Sequence, residues 1–562
     1  MVDMSRYIVN PGPKAAVSGL KAAVTTDSAI VTEVMLDVLK RGGNAADASV
    51  AGALVQAAVE PFLTNHAGLV TLLYYEAKTG LIHQLDSLGG FPPGLPPFRP
   101  VPASVSGIPP SAIIPGFMPG LNEFHRRFCT RTWKELCSPA VHWAESGHPV
   151  SSFEYGMNVR VEKFITYFPE GREYFQPNGG FPNVGETFVQ KGLATTLRRV
   201  AEEGPGYMIE GAWADAFVAK ANEMGWQIRR EHMRETPPRW LEPTRYTHHD
   251  HTIVSLGPPQ AQGLYIGVAM GVLKHMGVRD LEFGSGQYYW AMGHALRQAA
   301  RHWEYAQDDT IYGVPIDEVL DDGYHAHLAK MILKSRPKVD LTEHIRLAGD
   351  GEGGSDVMSL YAGAGGKPRS GDCEFRQRAG SCEIAVADVD GNWVQMMNTL
   401  QGSGIPGMVI GGVPMSGSSA TFGDLMSPMD ATLVPGAKGR SIIGNTFVLK
   451  EGRPVLSMGS PGNVHCTVPQ VLTYLLDFKL DPNTAIDAPR MLPMSETRGI
   501  TIEDRLSPQA VVDLHRLGVR VTVASGYDFR MGSFSVIGYD PESARYAAFA
   551  DPRRCAVAGG LR

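Results

Sequence analysis

Cysteine is scarce in this chain. Six cysteines in 562 residues, at 129, 137, 373, 382, 466 and 555, show no Cys-x-x-Cys spacing, which argues against both a disulfide framework and a cysteine-ligated zinc module. Long apolar runs are missing too. No stretch of 18 apolar residues occurs, and Met1–Pro13 lacks the apolar centre of a signal peptide, so no membrane partner is expected and the chain reads as cytoplasmic. Basic blocks longer than Lys/Arg pairs are absent and the formal net charge is −7, which speaks against a nucleic-acid partner. There is no Gly-x-Ser-x-Gly elbow, which lowers an α/β-hydrolase reading. Gly363-Ala364-Gly365-Gly366-Lys367 falls short of a phosphate loop because Pro368 follows the lysine. No internal repeat is seen, and the carboxylates are too scattered for a glycosidase pair to be chosen.

What is present is an ordinary globular composition, 43% hydrophobic and 19% charged, with length for more than one domain's worth of core. Ala22–Thr26 reads as a strand. A helix follows through Ile30, Val31, Val34, Met35, Val38 and Leu39, ended by Gly42-Gly43. Asn44 then caps a second helix, Ala45 to Val59, with Asp47 completing an imperfect capping box. That helix is nearly all Ala, Val and Leu, so it is expected to be buried all round. Leu69–Tyr75 and Leu81–Leu85 read as a hairpin, and 87–115 as a long Pro/Gly-rich loop. Residues 116–235 are mostly helical. Tyr246–Leu256 alternates like one strand. After residue 380 the order is strands, a helical pair (Val464–Phe478 and Ser507–Leu517), then strands.

The stretch from Gly380 to Asn392 organises the rest. Ser381 and Cys382 open an apolar alternation that ends in Asp390-Gly391-Asn392, and Trp393–Thr399 returns, which is a hairpin pattern. Upstream, 350–372 is Gly-rich and polar. A flexible segment feeding a Gly-Ser step at a strand start suits a hydrolase that cuts itself. The Ser381 hydroxyl would attack the Gly380 carbonyl, and the freed amine would become the base for its own hydroxyl. Cys382 is the competing nucleophile. Gly459-Ser460-Pro461-Gly462-Asn463, between a strand and a helix, can present backbone N–H groups to an oxyanion. His248-His249-Asp250-His251 puts His249 and His251 on one strand face, but no distant ligand is evident, so the cluster reads as a solvated strand or hairpin and no metal is assigned.

Lys40-Arg41-Gly42-Gly43-Asn44-Ala45-Ala46-Asp47-Ala48 with Val59-Glu60-Pro61, and Asp388-Val389-Asp390-Gly391-Asn392, together resemble the γ-glutamyltranspeptidase family of N-terminal-nucleophile (Ntn) hydrolases. The resemblance covers most of the chain. It implies an α+β fold, the four-layer αββα sandwich, made as one precursor and cut into 1–380 and 381–562. These would remain one interleaved heterodimer, with a higher oligomer left open. It puts Ser381 at the family's catalytic Thr, with Thr399 supporting it and Gly462 and Asn463 at the oxyanion pair. Gln401 falls where an Asn lies near substrate, and Ser441 matches the first of two carboxylate-binding serines, the second being Ile442. Arg440 beside it suits a carboxylate, which suggests a small acidic acyl group.

Leu88 stands where the family binds glutamate with Arg, so an acylase or amidohydrolase type of member is expected rather than a γ-glutamyl-specific one. The partner is then a small-molecule amide, and the chemistry asks for no cofactor. Acyl transfer to an amine, cleavage of an activated C–C bond, and an uncut non-catalytic scaffold are the alternatives.

Overall fold

The computed structural model describes residues 4–90, 114–223, 228–235, 237–260, 262–302, 313–336, 381–399, 407–415, 438, 443–493 and 499–562. Two seven-stranded sheets form the centre, and every strand pairing in them is antiparallel. In chain order the strands are β1 (Val17–Leu20), β2 (Ala22–Thr26), β3 (Leu69–Glu76), β4 (Leu81–Ser87), β5 (Arg239–Leu241), β6 (Thr244–His248), β7 (His251–Ser255), β8 (Ser381–Ala387), β9 (Trp393–Thr399), β10 (Thr446–Lys450), β11 (Arg453–Gly459), β12 (Ser535–Asp540), β13 (Arg545–Ala550) and β14 (Val557–Leu561). The first sheet runs β14-β2-β8-β9-β3-β4-β5 and the second β1-β13-β12-β11-β10-β7-β6. Each sheet therefore takes strands from both sides of the 380/381 step.

The strand alternation decides the layers. Ala385, Ala387, Trp393 and Met397 point into the gap between the sheets, where Trp393 meets Phe447 and Tyr546 edge-on at 6.4 and 5.4 Å. Ile384, Val386, Val394 and Met396 point the other way, onto helices. That outer layer contains α1 (Ala29–Lys40), α2 (Ala45–Val59), α3 (Phe117–Phe128), α4 (Trp133–Ser146) and α5 (Lys191–Glu203). On the far side α6 (Gln262–His275), α7 (Gly286–Ala300) and α8 (Val464–Leu476) pack with the second sheet. Helix, sheet, sheet, helix is the expected four-layer αββα arrangement.

All fifteen residues of α2 are buried, as its composition requires. Its capping box is complete rather than imperfect. The Asn44 side chain accepts from Asp47 N, and Asp47 Oδ2 accepts from Asn44 N. A β-carbon at Gly52 would come within 2.6 Å of Met35 Sδ, so the glycine sets how closely α1 and α2 approach. Asp388 Oδ2 accepts from Ala45 N at 2.8 Å, while Oδ1 accepts from the N–H groups of Asp390 and Asn392. The turn after the Ser381 strand is thereby tied to the start of α2, and the two motifs singled out in the sequence touch.

One expected strand divides into two. Tyr246–Leu256 is not a single strand but the β6–β7 hairpin, with His249-Asp250 as its turn. His249 takes φ 54°, so it does not share a strand face with His251, which pairs instead with Asp250.

Candidate active site

The hairpin register brings the two hydroxyls together. Ser381 opens β8, Thr399 closes β9, and they are direct cross-strand partners. The Ser381 hydroxyl donates to Thr399 Oγ1 at 2.9 Å, and both side chains are buried. Cross-strand neighbours on one face lie close enough for this contact without any bulge. Gly68 backs the pair: a β-carbon there would lie 2.3 Å from the Thr399 carbonyl oxygen.

Cys382, one residue on, faces the opposite side of the sheet. It is fully buried with Phe62, Leu63 and Met157. Burial, reinforced by Glu60 and Asp27, pushes its thiol well above the ordinary value, so it is held as a thiol rather than a thiolate.

Charged groups that the sequence did not reveal surround this strand. Arg554 Nη1 donates to the Ser381 carbonyl at 2.8 Å and lies 3.9 Å from Asp27. Asp27 accepts from the Ser533 hydroxyl at 2.8 Å and from Glu383 N at 3.4 Å. Burial raises the Asp27 carboxyl to about 6, against the pull of Arg554, Ser533 and the Glu383 N–H. Glu60 is raised further, to about 8, first by burial and then by Asp27. Its Oε2 accepts from Gln56 Nε2, and Gln56 Oε1 accepts from Asn398 Nδ2 on β9.

Glu383 lies on the Ser381 face, two residues along. Its Oε1 accepts from Gln395 Nε2 at 2.7 Å and Asn445 Nδ2 at 3.1 Å, and burial holds its carboxyl well above the usual range. Gly459, the end of β11, presses on it: a β-carbon there would meet Glu383 Oε1 at 1.8 Å. The turn 460–463 therefore leaves β11 from directly over the Ser381 face. Ser460 Oγ accepts from Ser533 N at 3.0 Å, and Asn463 Nδ2 donates to the Arg530 carbonyl at 2.9 Å. Gly462 has φ 91°, and Asn463 is the residue before the first turn of α8, whose leading N–H groups have no partner within the helix. The arrangement combines a hydroxyl at a strand start, a second hydroxyl touching it, and a pinned turn at the start of a helix.

Gly380, Gln401, Arg440, Ser441 and Ile442 lie outside the described residues, as do the Gly-rich segment 350–372 and most of the Pro-rich loop. Asp27, Glu60, Glu383 and Arg554 were not singled out from sequence. The available signals were a lone acid in the apolar run Ser381–Ala387 and the Asp551-Pro552-Arg553-Arg554 cluster.

A family model described as Gamma-glutamyltranspeptidase matches residues 31–561. The chain belongs to the gamma-glutamyltranspeptidase family. The expected enzyme class, a hydrolase acting on amide bonds, holds at the level of this family. Among curated relatives, the glutathione hydrolase proenzyme of Bacillus subtilis (strain 168) is 24% identical over 567 residues, covering 97% of this chain and 92% of the relative. The acylase ACY 1 proenzyme of Pseudomonas sp. (strain SE83) is 23% identical, covering 98% and 96%. Among solved structures, cephalosporin acylase from Bacillus halodurans superposes with a TM-score of 0.79 at 22% identity, covering 100% of this chain and 99% of that one. That likeness carries the Ntn-hydrolase fold. Leu88 is buried in the hydrophobic core. No described helix is long and apolar enough to cross a membrane.

Proposed function

We propose that this member of the family is a proenzyme that cuts itself between Gly380 and Ser381 and then works as an acylase or amidohydrolase through Ser381. The carrying observation is the 2.9 Å contact between the Ser381 and Thr399 hydroxyls at paired strand ends. In the precursor the Ser381 oxygen attacks the Gly380 carbonyl carbon, the peptide C–N bond breaks with a proton going to the nitrogen, and water hydrolyses the resulting ester. The new α-amine of Ser381 then takes the hydroxyl proton as the oxygen attacks a substrate amide. It returns that proton to the leaving amine, and water releases the acyl group. Thr399 orients the nucleophile. The N–H groups of Gly462 and Asn463 receive the oxyanion, a role in which losing one donor typically costs roughly 10²–10³ in rate.

Cys382 is a poor rival because its thiol is buried on the other face and shifted away from thiolate. The proenzyme and acylase names of relatives favour the same reading. Leu88 argues against a γ-glutamyl group, since a buried substrate charge without its partner costs several kcal/mol, roughly. A small acyl group, acidic if Arg440 and Ser441 reach it, fits better. The products, 1–380 and 381–562, would stay together as one heterodimer.

Intact mass and N-terminal sequencing of the purified protein test this directly, beside Ser381→Ala. The expected result is two fragments, the smaller starting at Ser381, and an uncut variant. A single chain that persists on long incubation would favour the scaffold reading, and a fragment beginning at Cys382 would move the nucleophile. Once cutting is seen, an acyl amide, the same amide with an added amine acceptor, and a keto-acid analogue separate hydrolysis from transfer and from C–C cleavage.

A further inference from the structure

The distant ligand that the histidine cluster lacks in sequence is supplied by the fold. Asp477 immediately follows α8, and its carboxylate meets the β6–β7 hairpin at the outer edge of the second sheet, whereas Ser381 lies inside the first sheet. His248 Nε2 is 3.0 Å from Asp477 Oδ2, and His249 Nε2 is 2.7 Å from Oδ1. One nitrogen from each ring and one carboxylate oxygen all lie within 4.8 Å of one another. His248 and Asp477 are buried, while His249 is 23% exposed and opens the cluster to solvent on one side. Asp250 and His251 do not join the set: they pair with each other at 2.9 Å, and Lys450 is 3.7 Å from Asp250.

Two facts make this more than a hydrogen-bonded clamp. Two imidazole nitrogens and a carboxylate oxygen are the donor types that borderline divalent ions take. The carboxylate also sits buried at the C-terminal end of a helix, where the backbone already concentrates partial negative charge and favours a cation.

We propose that His248, His249 and Asp477 hold a zinc ion, with water completing the coordination on the His249 side. A tetrahedral zinc site needs ligand atoms roughly 3.4 Å apart, given bonds of about 2.0–2.1 Å. The observed 3.0 and 2.7 Å separations, one to each carboxylate oxygen, have to open by about 0.4 and about 0.7 Å. His249 is in a turn and can move by that much. The ion would replace the hydrogen bonds between the rings and Asp477, and would clip the edge hairpin to the far end of α8, the helix that Asn463 precedes. The site is independent of the chemistry at Ser381.

The test uses untagged full-length protein stripped with a chelator, then equilibrated with micromolar Zn²⁺ and counted by mass spectrometry. Co²⁺ is bound in parallel for its visible absorption. The variants are His249→Asn, which tolerates the positive φ of this turn, and Asp477→Asn. The parent is expected to retain about one equivalent of zinc and to give a Co²⁺ ligand-field band. His249→Asn is expected to bind at least roughly 10–100-fold more weakly and to lose the band. A parent that retains no zinc, or a folded His249→Asn that binds as tightly as the parent, would overturn the site and leave a hydrogen-bonded clamp.

Discussion

Glu60 gives the sharpest test of the electrostatics beneath the Ser381 strand. Its carboxyl ordinarily titrates near 4.5 and is raised to about 8 here, with burial the largest cause and Asp27 the next. A raised carboxyl means that the folded chain binds the proton more tightly than the unfolded one. The stabilisation is fully present below pH 4.5, declines as pH climbs, and is gone above about 8. At about 1.4 kcal/mol per unit, a shift of that size amounts to roughly 5 kcal/mol across the window. Replacing Glu60 by Gln removes the titration and keeps an oxygen for Gln56 Nε2.

The assay is urea unfolding of the Ser381→Ala chain, with and without Glu60→Gln, from pH 5 to pH 8. The single variant should lose stability across this range, and the double variant should lose less by on the order of 3–5 kcal/mol. Parallel curves would refute the reasoning, because they would mean that Glu60 does not keep its proton in the folded chain.

Thr399→Val should slow both self-cutting and turnover by about tenfold, the equivalent of one hydrogen bond, with melting little changed; timed mass spectra and initial rates check it. Cys382→Ala should leave the cut site at Ser381 and hold turnover within about twofold, since the thiol is on the other face; N-terminal sequencing and rates decide. Gly459→Ala should destabilise by about 1–3 kcal/mol, because the methyl would collide with Glu383; thermal melts against the parent measure it. Arg554→Met should cost about 3–5 kcal/mol by leaving Asp27 buried without its cation, seen as a lowered melting point that partly recovers when Asp27→Asn is added.

The parts legible in sequence were those written locally. Helix α2 was bounded at Ala45 and Val59 because its cap, its composition and Pro61 lie within one window. The β8–β9 hairpin was readable because alternation and Asp390-Gly391-Asn392 are contiguous. The turn of the β6–β7 hairpin was not placed, because it uses His249 in a left-handed conformation, with no Gly or Pro to mark it. Strand β14 was missed for the opposite reason. Gly559 and Gly560 look like a loose tail, yet a β-carbon at Gly560 would meet the Ala22 carbonyl at 2.3 Å, so glycine is what lets this strand close the sheet. The buried acids and Arg554 were invisible for want of proximity. Asp27, Glu60 and Arg554 come from distant parts of the chain, and only strand order brings them to the Ser381 strand.

That strand order also makes a cut at 380/381 tolerable. Strand β8 pairs with β9 through seven residues from Ser381 to Ala387, and with β2 through four from Ile384 to Ala387. Among the described residues every ladder contact of β8 lies at or beyond Ser381, on the far side of the bond that would be cut. The new chain end would not be loose, because Arg554 Nη1 holds the Ser381 carbonyl and Thr399 its hydroxyl. Nor would the two pieces separate. The first sheet interleaves β2, β3, β4 and β5 from before the cut with β8, β9 and β14 from after it, and parting them would break both flanks of the β8–β9 pair. A free amine held beside its own hydroxyl, on a central strand that cannot leave, is what an N-terminal nucleophile requires.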